Sequence, residues 1–137
     1  GDISITLTGT IAAGGFVLLE RTDDTSVGNL AANQIYTGTL SNTGETLTLK
    51  DANGNTVDTA NLAGGSWPAG SVSSYFTMER INPLAADSAA NWVANNGATR
   101  SGTDANGTAL NGTAGSANSG LSLPTSTPRQ PLRPHKH

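Results

Sequence analysis

Three observations on the 137-residue chain predict an all-β fold, most simply a β-sandwich. Apolar and polar residues alternate with period two along several short stretches. Clusters of Gly, Asn, Asp, Ser and Thr separate those stretches, and no long stretch carries a helical period. Roughly six short strands divided by turn residues is the pattern of two packed antiparallel sheets.

The first strand is predicted at Ile3-Ser4-Ile5-Thr6-Leu7, with Ile3, Ile5 and Leu7 on one face. Gly9-Thr10-Ile11-Ala12-Ala13-Gly14-Gly15 then reads as a loop whose glycines supply positive φ. Phe16-Val17-Leu18-Leu19 is continuously apolar, which suits a strand covered on both faces. Gln34-Ile35-Tyr36-Thr37-Gly38 is a short strand. Leu47 and Leu49 share a face and, after an Asn-Gly turn, Val57 and Thr59 continue the alternation, predicting a hairpin with Asn53 and Gly54 at positive φ. Residues 74–81 form a further strand, with Phe76, Met78 and Arg80 on one face and Thr77 and Glu79 on the other. Residues 85–94 could make a turn or two of helix capped by Asp87, with Trp92 pointing inward. Residues 99–120, rich in Gly, Ser, Asn, Thr and Ala, favour irregular structure, and residues 121–137, Pro-rich and basic, an extended or disordered tail. The predicted core is Phe16, Leu18, Leu47, Leu49, Val57, Phe76 and Trp92, a thin one for a chain of this length.

Composition narrows the function classes. Net charge is −3 with the charges dispersed, and no basic stripe with interleaved aromatics occurs before residue 128, so nucleic-acid binding by the folded part is not expected. Cysteine is absent, which removes disulfides and thiolate metal sites and leaves the redox compartment open. No run of eighteen apolar residues occurs, so no membrane-spanning helix is expected. The abrupt start inside a strand-like run points to a processed chain or to a piece of a longer one.

Catalytic chemistry is poorly supplied. Both histidines, His135 and His137, lie in the tail, so a Ser-His-Asp arrangement or a histidine-based metal site cannot assemble in the fold. No catalytic residue and no cofactor is predicted. Asp51, Asn53, Asn55 and Asp58 around Gly54 are the candidate ligands of a calcium loop, but position twelve from Asp51, where such a loop has a bidentate Glu, is Leu62. The incomplete set favours a plain turn. Asp104-Ala105-Asn106-Gly107 repeats the tetrapeptide of residues 51–54, consistent with the same turn chemistry used twice. Asp23 and Asp24 read as a solvated loop edge. Trp67, set among glycines and a proline, is the candidate contact for a carbohydrate or protein. Arg80, at the end of its strand, can pair with a carboxylate such as Asp58, cover an aromatic ring, or meet a ligand at the rim.

The ordered series "GTIAAGGFVLLER" (9–21), "LSNTGETLTLKDANGNTVDTA" (40–60), "SWPAG" (66–70), "TMERINP" (77–83), "NW" (91–92) and "NGTAGSANS" (111–119) resembles the bacterial lamin-tail domains over about residues 3–119. The resemblance implies an immunoglobulin-like β-sandwich over residues 1–120, in an exported or surface protein, serving as a binding or structural module without a catalytic site of its own. The chain departs from that pattern in lacking the two or three strands that normally precede "ITLTGTIAAGGF". A missing strand leaves an unpaired sheet edge and an open apolar face, which a strand from another chain can complete.

The expected function is therefore a non-catalytic, secreted or cell-surface structural or interaction module, with protein partners or self-association through sheet edges. The alternatives are a self-assembling filament subunit completed by a neighbour's strands, and an accessory module of a secreted hydrolase that binds polysaccharide.

Overall fold

The structure is a computed structural model and describes residues 3–123. The predicted tail beyond residue 123, with both histidines, lies outside the described residues. The class is all-β. Six short strands, β1 (Leu19–Arg21), β2 (Gln34–Tyr36), β3 (Leu47–Lys50), β4 (Thr56–Ala60), β5 (Met78–Arg80) and β6 (Trp92–Ala94), make three two-stranded sheets. Among the described residues there is no α-helix.

β1 and β2 pair in parallel, Leu19 opposite Gln34 and Arg21 opposite Tyr36. A parallel pair needs a long crossover, supplied here by residues 22–33, an irregular loop. Side chains fasten the loop: Glu20 accepts the Val27 N–H, Asp24 the Ala32 N–H, and Asn33 the Leu18 N–H. β3 and β4 form the predicted hairpin, with a register irregularity at Leu49 and Lys50. Gly54 takes φ 83°, while Asn53 does not share the expected positive φ. The turn is closed by Gly54 N–H to Asp51 carbonyl and Asp51 N–H to Asn55 carbonyl, so one left-handed residue suffices. Residues 104–108 repeat this geometry, with Gly107 at φ 83° and Asp104 accepting the N–H groups of Asn106 and Thr108. β5 and β6 pair antiparallel, Met78 opposite Ala94 and Arg80 opposite Trp92.

Several predicted elements are corrected. Residues 3–7 form no strand. Among the described residues they have no backbone partner, and the carbonyl of Thr6 and the N–H of Thr8 are instead held by the Gln34 side-chain amide. Of the run at 16–19, only Leu19 enters a strand. The strand expected over 74–81 shrinks to Met78–Arg80 because Tyr75 turns the chain at φ 55°, leaving Phe76 in isolated bridges to Ser71 and Asn111. The helix expected over 85–94 is a single 3₁₀ turn, Ala89–Asn91, followed by β6. Ser88, not Asp87, precedes that turn, and the Asp87 carboxylate is occupied elsewhere. A short helix without an apolar stripe is marginal, and the cross-strand partners of Trp92 and Val93 prevail.

The core also differs from expectation. Among the described residues the buried hydrophobic is Val27, whereas the buried polar residues are Glu20, Asn61, Glu79, Arg80, Asn91 and Asn95. Phe16 and Val57, expected inside, are 54% and 62% exposed. Phe16 leaves the long glycine loop before the first sheet begins, and Val57 lies on the outer side of the hairpin. Leu18, Leu47, Leu49, Phe76 and Trp92 are half-buried. Side-chain hydrogen bonds to backbone groups therefore take over much of the ordering usually left to apolar packing. Asn91, for example, closes the 82–91 loop by donating to the Asn82 and Ala86 carbonyls while accepting the Asn82 N–H.

Candidate interaction surface

The alternation at residues 3–7 and at Leu47 and Leu49 places apolar side chains on facing walls of a groove. Ile3, Ile5 and Leu7 line one wall; Leu19, Leu47 and Leu49, with Trp92 and Pro83, complete a cavity of about 600 Å³ that is open to solvent. Ile3 and Ile5 are half-buried against it, and Leu7 is 43% exposed. The groove's polar margin is Thr46, Thr48, Asp58, Thr59 and Arg80.

The two edges of the β3/β4 hairpin are treated differently. On β4, the Thr59 carbonyl accepts from Arg80 at 2.8 Å, the Thr59 hydroxyl donates to Asp87, and the following Leu62 N–H also donates to Asp87. Thr59 thus points its backbone groups away from β3. Its cross-strand partner, Thr48, must by the same alternation point its own N–H and C=O away from β4, onto the outer edge of β3. Among the described residues nothing pairs with that edge. β4 is capped; β3 is open.

Arg80 anchors the capped side. The sequence suggests pairing with Asp58 or cover over an aromatic ring, and the geometry supplies both. Nη2 lies 2.8 Å from Asp58 Oδ1, and the guanidinium carbon lies 4.7 Å from the centre of the Trp92 ring. Nη1 donates to the Ala85 carbonyl. Arg80 is buried, not exposed at a rim. Trp92 is held in turn by its indole N–H, which donates to Asp87 at 2.7 Å. Burial alone would raise the Asp87 carboxyl, but the donors Trp92, Thr59 and Leu62 hold it below its ordinary value.

On the other face of β5, Glu79 is 3% exposed. Its oxygens accept from the Ser119 N–H and hydroxyl, the Thr113 hydroxyl and the Asn95 amide. Burial pushes its pKa up, and these donors more than offset that, leaving it lowered. Glu79 thereby fastens the irregular 111–119 segment to β5. Alternation sets this side chain on the face opposite Met78 and Arg80. Glu20 is the opposite case. Oε1 accepts the Val27 N–H, but Oε2 is buried with no partner. Burial first, then the neighbouring Asp24 carboxyl, raises its pKa, with the Val27 N–H pulling the other way.

The four calcium-loop candidates are not all brought together. Asp51 accepts the N–H groups of Asn53 and Asn55 and the Asn55 amide, which hold its carboxyl below the ordinary value. Asp58 turns to Arg80. Among the described residues no group of three or more His, Cys, Asp or Glu is placed to hold a metal. Trp67 is half-buried, donates its indole N–H to the Ser41 carbonyl at 2.8 Å, and lines a second open cavity of about 610 Å³ with Leu40, Phe76 and Met78. No helix among the described residues is long and apolar enough to cross a membrane.

Sequence reasoning missed the buried polar group of Glu20, Glu79, Asn61, Asn91 and Asn95. Its trace was the abundance of Asn beside glycine and in turns, where a side-chain amide can complete backbone hydrogen bonds that no ladder supplies. Comparison of the chain with protein-family models, with curated proteins and with solved structures found no match.

Proposed function

We propose that this chain is a non-catalytic structural or interaction module of the lamin-tail type, an immunoglobulin-like β-sandwich, that works outside the cell or at its surface by engaging proteins through a sheet edge. One observation carries this reading: among the described residues nothing pairs with the outer edge of β3, which borders an open apolar groove, while the equivalent edge of β4 is covered by Arg80 and Asp87. Backbone groups in such an edge give affinity to any extended segment, and alternate pockets along the groove select its side chains. Three of the carboxylates fit the same reading. Asp51, Glu79 and Asp87 are each occupied by donors from the chain itself, so none is poised as a free base.

The test is photocrosslinking in the cells that make the protein, with a photoreactive residue in place of Thr48. Covalent adducts to protein, from another chain or another copy, are the expected result. The absence of any protein adduct from Thr48, or a yield no greater than that from a position on the capped β4 side, would overturn the reading.

A further inference from the structure

We propose that the free edge of β3 receives residues 3–7 of a second copy of this chain as an added strand. This rests on the interaction-module reading above and names its partner. Residues 3–7 have the sequence of a strand, Ile3-Ser4-Ile5-Thr6-Leu7, uncharged and alternating. Among the described residues they have no backbone partner, and the hydrogen bonds that hold the segment come from the side chain of Gln34. Gln34 belongs to β2, so that tether fastens the segment to the β1/β2 sheet, while Ile3, Ile5 and Leu7 line the groove that β3 also borders. The following loop, residues 9–15, is exposed throughout; Gly9 and Gly14 sit at positive φ with open space around them. Such a segment can leave its own groove at the cost of few hydrogen bonds.

The acceptor matches. Leu47 and Leu49 are half-buried and line the groove, while Thr48, at its margin, is exposed. An added strand with Ile3, Ile5 and Leu7 on the groove side would set Ser4 and Thr6 beside Thr48 on the wet side. The edge also lacks the usual protections against such pairing, with no Pro and one charge, Lys50, at its end. Donor and acceptor are different surfaces of one chain, so the contact is head-to-tail. It propagates unless the rotation closes a ring.

Two full-length variants separate the halves of the contact. Thr48→Pro removes the outward N–H while leaving the β3/β4 ladder intact, and Ile5→Lys places a charge where the donor strand meets the groove. By light scattering over about a hundredfold range of concentration, the unaltered chain should grow with concentration and each variant alone should stay monomeric. Mixed together, they should stop at a one-to-one dimer, because one retains only the donor and the other only the acceptor. Assembly by either variant alone, or an unaltered chain that stays monomeric, would overturn the proposal. A second measurement keeps the unaltered fold. Thr6→Cys and Thr48→Cys chains, distinguishable by mass and otherwise free of cysteine, are mixed and oxidised. A disulfide joining the two substituted positions across the chains is expected, and its absence overturns the assignment. Adducts from Thr48 to unrelated proteins alone would sink this proposal while leaving the interaction-module reading standing.

Discussion

Arg80 stacks on the Trp92 ring at 4.7 Å while its guanidinium grips Asp58 at 2.8 Å, so one buried cation joins β4, β5 and β6. The two partners in the ion pair are unequal: Arg80 is nearly enclosed, whereas the Asp58 side chain is 53% exposed.

That inequality predicts unequal costs. Asp58→Asn should lose about 0.5–1 kcal/mol, because water already screens the carboxylate and Arg80 keeps its carbonyl acceptors. Arg80→Met should lose about 2–3 kcal/mol, since the Thr59 and Ala85 carbonyls and the ring contact all lose their partner. Urea unfolding of both single variants and the double variant measures each value and the coupling between them.

Asn61 makes a second test of the polar core. It sits at φ 58° and donates its amide to the Glu45 and Gly65 carbonyls. Asn61→Ala should cost about 2–3 kcal/mol, because it strands two carbonyls and places an alanine in the left-handed region. Asn61→Gly restores the backbone freedom and should recover about 1 kcal/mol of that loss. Equal losses would mean that the φ value contributes nothing.

Acid should unfasten the 111–119 segment. The pKa of Glu79 is lowered on folding, so its contribution is fully present above the unfolded glutamate value. It is lost as pH falls through the folded one. Asp51 and Asp87 act in the same direction. Hydrogen exchange at the Ser119 amide, followed as pH drops below the ordinary carboxylate range, should report opening that Glu79→Gln shows already at neutral pH.

Glu20 should act with the opposite sign. Its pKa is raised, so the stability it contributes is present below the unfolded value and lost as pH rises through the folded one. In the protonated form the Glu20 carboxyl can donate to the neighbouring Asp24 carboxylate. Glu20→Gln imitates that form permanently. At neutral pH it should raise the urea midpoint and remove the decline that the unaltered chain shows with rising pH. A lower midpoint would mean that the charged carboxylate is the stabilising form.

The all-β class and the β3/β4 hairpin were legible because Leu47, Leu49 and the Asn-Gly turn are local features, and local features need no distant partner to be read. The pairing of Arg80 with Asp58 and Trp92 was legible for a related reason: a lone cation at the end of an apolar strand must find an acceptor or a ring. Residues 3–7 and 85–94 were misread because each choice was made by a distant group. Gln34 intercepts the first segment, while β5 claims Trp92 and Val93 from the second. The burial of Glu20 and Glu79 was hidden for a similar reason. Alternation tells which residues share a face, but not whether that face meets water or an Asn-rich loop that can hydrogen-bond a carboxylate.

An interior composed of amides, carboxylates and a guanidinium, with Val27 as its buried aliphatic side chain, also has a calorimetric signature. Melting such a fold hydrates much peptide and polar surface and comparatively little hydrocarbon, and the two contribute to the heat capacity with opposite sign. The heat-capacity increment should fall below the usual ~12–15 cal/mol/K per residue, flattening the curve of stability against temperature. This protein should therefore stay folded over a broad thermal range at a modest maximum.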